Sequence, residues 1–411
     1  MARSMLLDRF PRANAFNASN VAMAALAAAF GLAVLASSLG CASPTPEPAV
    51  PQSGRARSDR ARSNAETTVV VAPIVVSPYS EAELAAQFEQ ARALLAAEKY
   101  REAGAAFDRL LRLSPDGIVA PPSLFNRGIA HDGLGERDLG ADRYRELLRR
   151  FPAHALAPSA RGRLLRSLGY LERWSELVTV ADQVLAEPHL SVLQTIEARG
   201  ARALGLVEQG LIDEASRDVM KARDLIEDHH LGQAGKLPIE LAPVSFALGE
   251  VRKGKSEQIK LAPVPPNFTD VLEQRCQGLL DAQNAYTDAM RALDAHWSAM
   301  AGFRIGELYE QLHRDVMEIP PPAAATSLRK KQLFEGAMRL RYRVLLEKGL
   351  RMMDGVVRMA ERTGEASVWI GRAKEARTQL ERALADEKAA LASLPFTEAE
   401  LQEGLNALKG K

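Results

Sequence analysis

The sequence predicts an all-α protein: a right-handed solenoid of helix pairs followed by a long-helix hairpin or bundle. Three observations predict it. One weak pattern recurs four times between Ser80 and Leu225, at an offset of 37 to 38 residues. Pro115, Pro152 and Pro188 follow the second helix of the first three copies. Beyond Thr269, apolar residues recur at alternating four- and three-residue steps. The period indicates stacked helix pairs that bury a core only against their neighbours. The seam indicates helices packed nearly parallel or antiparallel.

The first element is a leader. Arg3, Arg9 and Arg12 outweigh Asp8, and Val21 to Gly40 is a nearly uncharged run rich in Ala and Leu. A basic stretch, an apolar stretch and small residues before a cut make residues 1–40 a secretory signal. Ser38-Leu39-Gly40-Cys41 resembles the lipobox of bacterial lipoproteins, with Ser38 standing where the family carries Leu. The resemblance implies lipidation of Cys41, which becomes the new amino terminus. Ala42 stands where an aspartate retains such proteins at the inner membrane, so the periplasmic face of the outer membrane is implied. Several acyl chains anchor stably where one does not. The apolar run is also long enough to span a bilayer, so an uncleaved inner-membrane anchor facing the periplasm is the alternative, and a plain cleaved signal the third.

Residues 41–78 read as a disordered tether. Pro44, Pro46, Pro48 and Pro51 precede the Arg- and Ser-rich run from Ser53 to Ser63, which has too little apolar content to fold alone. Val69-Val70-Val71 and Ile74-Val75-Val76 suit a short strand or a cover for the first helix. Ser80 and Glu83 then form a capping box, and Tyr79 is placed to staple against Leu84.

Residues 79–228 hold the four repeats. A small-residue column runs Ala91, Gly128, Leu165, Ala203, with Leu165 out of pattern, and an apolar one Leu94, His131, Leu168, Leu206. A bulky turn position reads Tyr100, Arg137, Trp174, Ile212; the second helices contribute Ala103, Gly140, Leu177, Ala215, then Phe107, Tyr144, Ala181, Val219. Small residues let antiparallel helices approach until their ridges interlock, and proline, with no N–H, ends each unit. The arrangement resembles the tetratricopeptide repeat, clearest from Ala91 to Pro115, although that family's period is about 34 residues. The link from Phe151-Pro152 to Ala160 is similar to that of tetratricopeptide lipoproteins in envelope complexes. The resemblance implies that first helices line a partner-binding groove. Its candidate contacts are the outward positions Gln87, Gln90, Arg127, His131, Arg161, Arg199 and Arg202, whose arginines favour acidic segments.

Residues 229–268 read as a loop at His229-His230, a helix from Pro238 to about Gly254 and a Pro-rich connector from Leu261 to Phe268. Residues 269–411 form a long-helix domain. One helix is expected from Thr269 to Glu318, with a seam of Leu272, Cys276, Leu279, Tyr286, Met290, Leu293, Trp297 and Met300. A second runs from Ser327 to about Arg362, and Thr363-Gly364-Glu365 breaks it. A third runs from Ser367 to near Leu391, and a short last helix starts at the Thr397–Glu400 capping box. These long helices suit a homodimer seam as well as an internal one.

Composition narrows the function. With 53 Lys and Arg against 52 Asp and Glu, the chain lacks the uncompensated basic charge that nucleic-acid binding needs. Its two cysteines are Cys41 and Cys276, so no intramolecular disulfide is expected, and Cys276 reads as a buried thiol. His229-His230 lacks a third ligand at metal spacing. Glu310-x-x-His313 is half of a di-iron helix motif and reads as a surface ion pair. No nucleophile elbow, zinc-protease helix or phosphate loop occurs. No cofactor, metal or catalysis is expected. The expected function is a membrane-anchored periplasmic scaffold that binds protein partners in an envelope complex. The alternatives are a cell-wall-acting or enzymatic module in the carboxyl-terminal half and a dimeric structural spacer.

Overall fold

The computed structural model describes residues 79–233, 235, 237–323 and 325–409, with side chains as far as residue 404. The leader (1–40), Cys41 and the tether to residue 78 lie outside the described residues. Helix α1 (Glu81–Ala96) starts at the predicted capping box. The Glu83 amide donates to the Ser80 hydroxyl at 3.3 Å and the Ser80 amide to the Glu83 carboxylate at 2.8 Å. Seven helices follow: α2 (Tyr100–Leu113), α3 (Ala120–Gly133), α4 (Arg137–Arg150), α5 (Ala157–Tyr170), α6 (Trp174–Leu185), α7 (Val192–Glu208) and α8 (Ile212–Asp228). Each odd helix packs antiparallel on the next.

The repeat is written in the backbone as well as in side chains. A three-residue turn joins each pair, and its middle residue is left-handed: Glu98 (φ 57°), Gly135 (76°), Glu172 (57°) and Gly210 (81°). The next amide reaches back five residues, from Lys99 to Leu94 (3.0 Å), Glu136 to His131 (2.9 Å), Arg173 to Leu168 (3.0 Å) and Leu211 to Leu206 (2.9 Å). This closure satisfies carbonyls that the helix end leaves unpaired. It also explains the His131 column, since the position is needed for its carbonyl in every copy.

The small-residue column is buried throughout, at Ala91, Gly128, Leu165 and Ala203. A Cβ on Gly128 would collide with the Tyr144 ring, so glycine there sets how closely α3 and α4 approach. Arginines then join successive pairs. Arg127 on α3 donates to Asp108 on α2 at 3.0 Å, and Arg202 on α7 donates to Asp182 on α6 at 2.6 Å. These are equivalent positions of the repeat, one at the interface of the first two pairs and one at that of the last two.

Helix pairing continues past the point where the sequence period ends. A 3₁₀ turn (Ile239–Leu241) leads into α9 (Ala242–Glu257), followed by α10 (Phe268–Met290), α11 (Ala295–Met317), α12 (Leu328–Thr363), α13 (Val368–Ser393) and α14 (Glu398–Lys409). Helix α9 packs on α10 and α11 on α12, while first helices touch in succession: α7 on α9, α9 on α11, α11 on α13. Gly249 meets the Tyr286 ring as Gly128 meets Tyr144, and Gly302 and Gly306 admit Val356 and Met353. Every regular element among the described residues is helical, as the sequence predicts.

Three expectations need correction. The single helix from Thr269 to Glu318 is two helices. Leu293, placed in its seam, is left-handed (φ 56°) and 72% exposed, and Asp294 caps α11 by accepting from the Trp297 amide at 3.0 Å. A leucine at the turn preserved the heptad spacing, while the cap residue beside it carried the true signal. The long-helix region is not set apart from the repeats, because one apolar core runs from Ile196 in α7 to Leu380 in α13. The α12 seam is used inside the chain, against α11 and α13. His313 is buried, with Nε2 3.8 Å from Glu387, and Glu310 pairs with Arg314 instead. Cys276 is buried as predicted, and desolvation pushes its thiol up to about 11.

The stack curls back on itself. The Glu172 carboxylate, at the turn of the third pair, accepts two bonds from Arg372 on α13, at 2.5 and 2.7 Å. The face built by first helices is therefore the inner one.

Candidate functional site: an arginine-lined cleft on the inner face

Helices α5, α7, α9 and α11 enclose a cleft of about 230 Å³. All four are first helices of successive pairs. Its floor is apolar, made by Leu165, Leu177, Ala201, Leu204 and Pro243. Arg163, Arg166 and Tyr170 reach it from α5, where steps of three and four residues put them on one helix face. Arg137 enters from the start of α4, and His296 and Trp297 from the first turn of α11.

The charges at its two ends are handled differently. Arg166 is fully engaged, donating to both oxygens of Glu197 at 2.5 and 3.0 Å and to Glu240 at 3.3 Å. Those bonds raise its pKa, Glu197 first. Arg137 and Arg163 instead share Asp132, at 3.8 and 3.5 Å. That carboxylate already accepts from the Tyr144 hydroxyl at 2.7 Å. The Arg137 Nε is buried with no acceptor in reach. Aromatic rings support both guanidinium groups: Arg137 lies 4.7 Å over Tyr170 and Arg163 5.8 Å over Phe125. Two oriented cations on one carboxylate leave donor capacity for an incoming acceptor.

Tyr170 and His296 form one wall, stacked at 4.2 Å. Glu365, in the loop before α13, stands behind them. It accepts from the Tyr170 hydroxyl at 3.4 Å and the Ser367 amide at 3.1 Å, and His296 Nδ1 lies 3.7 Å away. His296, then Ser367, hold the Glu365 carboxyl down at about 2, and burial with the neighbouring Glu365 charge raises the Tyr170 hydroxyl.

The residues expected to contact partners are placed elsewhere. None of Gln87, Gln90, Arg127, His131, Arg161, Arg199 and Arg202 lines this cleft. The expectation that all seven point outward is corrected. His131 is 4% exposed and its Nδ1 lies 2.7 Å from Glu136; Arg161 pairs with Glu187 at 2.5 Å. Arg199 and Arg202 converge on Asp218, which is buried. Gln87 is half-buried and Gln90 exposed on α1. An arginine on a helix pair finds the acids of the neighbouring pair first, which a one-dimensional face assignment does not register. The cleft residues had two sequence signals: the Arg163-x-x-Arg166-x-x-x-Tyr170 face, and Arg137, the polar exception in the bulky turn column. His296 had none and Trp297 only its place in the apolar seam, because both arrive from another pair.

His229 and His230 are exposed beyond α8. Among the described residues, no group of three His, Cys, Asp or Glu side chains is placed to hold a metal ion, and no helix is long and apolar enough to cross a membrane.

No family model and no curated protein matches the chain. Among solved structures it is similar to PilW, described as a widely conserved type IV pilus biogenesis factor, at 16% identity over 57% of this chain and 94% of that one, with a TM-score of 0.35. It is also similar to a tetratricopeptide repeat protein from Parabacteroides merdae, at 13% identity over 80% and 100%, with a TM-score of 0.36. Yeast Tom70 matches at 10% identity over 80% and 89%, with a TM-score of 0.27.

Proposed function

We propose that this protein is a scaffold of a bacterial envelope complex, which binds a partner protein at the inner face of its helical stack. Lipid on Cys41 would hold it at the periplasmic face of the outer membrane. The cleft carries the binding half of the reading. An apolar floor flanked by Arg137 and Arg163 suits an extended segment that seats an aliphatic side chain and presents a carboxylate to the two guanidinium groups. The leader and Cys41 support the anchoring half, by resemblance to the lipobox.

One experiment in cells tests both halves. A photo-crosslinking residue at Ile239, on the cleft rim and 37% exposed, should capture a discrete partner that is lost in Arg137→Glu/Arg163→Glu. The same probe at Met220, on the outer surface of α8 and 54% exposed, is the control. Equal capture from both positions would remove the cleft from the interaction. In the same cells Cys41→Ala should lose fatty-acid labelling, and labelling at the wild-type level would remove the lipid anchor.

A further inference from the structure

The cleft has a wall that belongs to two bodies at once. One apolar core runs from Leu124 to Ala201, and the larger one begins at Ile196. Helix α7 supplies buried residues to both, Ala198 and Ala201 to one and Ile196 to the other, and Trp174 at the start of α6 packs against each. Away from α7, the third pair and α13 meet again, and there they form no packed helix–helix interface. Side chains alone make the contact: Glu172 with Arg372, and Tyr170 with Glu365. The α13 side is fixed. Arg372 lies 4.4 Å over Trp369, which is 1% exposed, and the Ser367 amide holds Glu365. On the other side, Tyr170 is itself the cleft wall.

From this we infer a latch: the Glu172–Arg372 and Tyr170–Glu365 contacts, with the Tyr170–His296 stack and the Arg166–Glu240 pair beside them, hold the cleft closed, and their release lets residues 79–190 swing about α7 and widens it. The ionic contact is partly exposed, 38% at Arg372 and 20% at Glu172. Exposed ion pairs are individually weak and salt-sensitive. A few such contacts between two well-packed bodies describe a closure poised near balance, in the manner of hinged domains around a ligand site. As a gate on partner entry the latch rests on the reading of the cleft as the binding site; as a motion it does not.

The test uses a thiol on the cleft floor and one built into the fold. In the full chain carrying Ala201→Cys, alkylation by a bulky maleimide is followed peptide by peptide, with buried Cys276 reporting on global unfolding. Adding Glu172→Ala and Glu365→Ala should speed modification at position 201 by about tenfold, the scale that two weak polar contacts sustain, and leave Cys276 unchanged. With the latch residues intact, raising NaCl from about 0.1 to about 1 M should act in the same direction, because screening shortens the reach of the ion pair. A rate at position 201 that ignores both manipulations overturns the latch. If the double variant also exposes Cys276, the salt response of the intact latch decides. No partner is needed, so the latch can fail while capture from Ile239 succeeds, and the reverse.

Discussion

Residues 79–190 and residues 196–380 are built from the same antiparallel pairs and held together by different means. In the first region the apolar cores are local, one from Leu84 to Val119 and the next from Leu124 to Ala201. Identical turns set the geometry there, and partly exposed arginines such as Arg127 and Arg145 join the pairs. In the second region the core is continuous and charges lie inside it. Arg304, 14% exposed, donates to Glu208 at 3.0 Å, Glu250 at 2.7 Å and Glu307 at 3.0 Å. Arg275 is fully buried, bonded to Ser256 at 2.6 Å and Asp315 at 2.8 Å. Short equal helices keep register through the turn that joins them. Beyond α8 the helices are long and unequal and share no common turn, so buried hydrogen-bonded points between them fix how far each slides on the next.

The largest effect should come from those buried points. Arg304→Ala leaves Glu208 and Glu250 without their cation in a desolvated site, a loss of roughly 3–5 kcal/mol. Arg145→Ala, whose partners Glu176 and Asp142 are 31% and 62% exposed, should cost less than about 1 kcal/mol. Urea denaturation of the two variants measures the contrast; equal losses would show that the two regions are not held differently.

A smaller effect is expected at the turns. Gly210→Ala places a Cβ at φ 81° and should destabilise by about 1 kcal/mol. Leu293→Gly relieves a left-handed leucine and should be neutral or stabilising by about 0.5 kcal/mol. Thermal midpoints measured side by side check the pair, and a stabilising Gly210→Ala would show that the turn does not set the repeat.

The last effect concerns acid. The Glu365 carboxyl lies below its ordinary value of 4.5, at about 2. Its contribution is therefore complete above pH 4.5 and is lost as pH falls toward 2. Between those limits the wild-type urea midpoint should fall more steeply than that of Glu365→Gln. Parallel curves would mean that the His296 and Ser367 contacts of Glu365 add nothing to stability.

Much of this fold is legible in the sequence. The capping boxes at Ser80 and Thr397 are present as expected, the latter with Thr397 N–H to Glu400 at 2.7 Å and Glu400 N–H to Thr397 at 3.2 Å. The small-residue column and the second-helix columns are buried in every copy, because small residues and glycines are demanded wherever two helices nearly touch. The break at Leu293 was hidden by a residue that fits a seam and a turn equally well in one dimension. The continuation of helix pairing past Leu225 was hidden because Gly249 and Tyr286 make the Gly128–Tyr144 contact at a different sequence separation. The cleft was only half visible: Arg163, Arg166 and Tyr170 share a helix face, and nothing along the chain brings His296 to them.

The sequence by itself determined the helices, their pairing over the first four units and the Cys41 resemblance, since propensity, capping and short-range periodicity act within tens of residues. Tertiary structure alone decided which arginines are engaged and which are left with donors to offer. It alone placed Glu365 behind Tyr170 and Arg372 against Glu172, nearly two hundred positions apart. Those outcomes depend on the angle at which each pair stacks on the last, a quantity that accumulates along the whole chain.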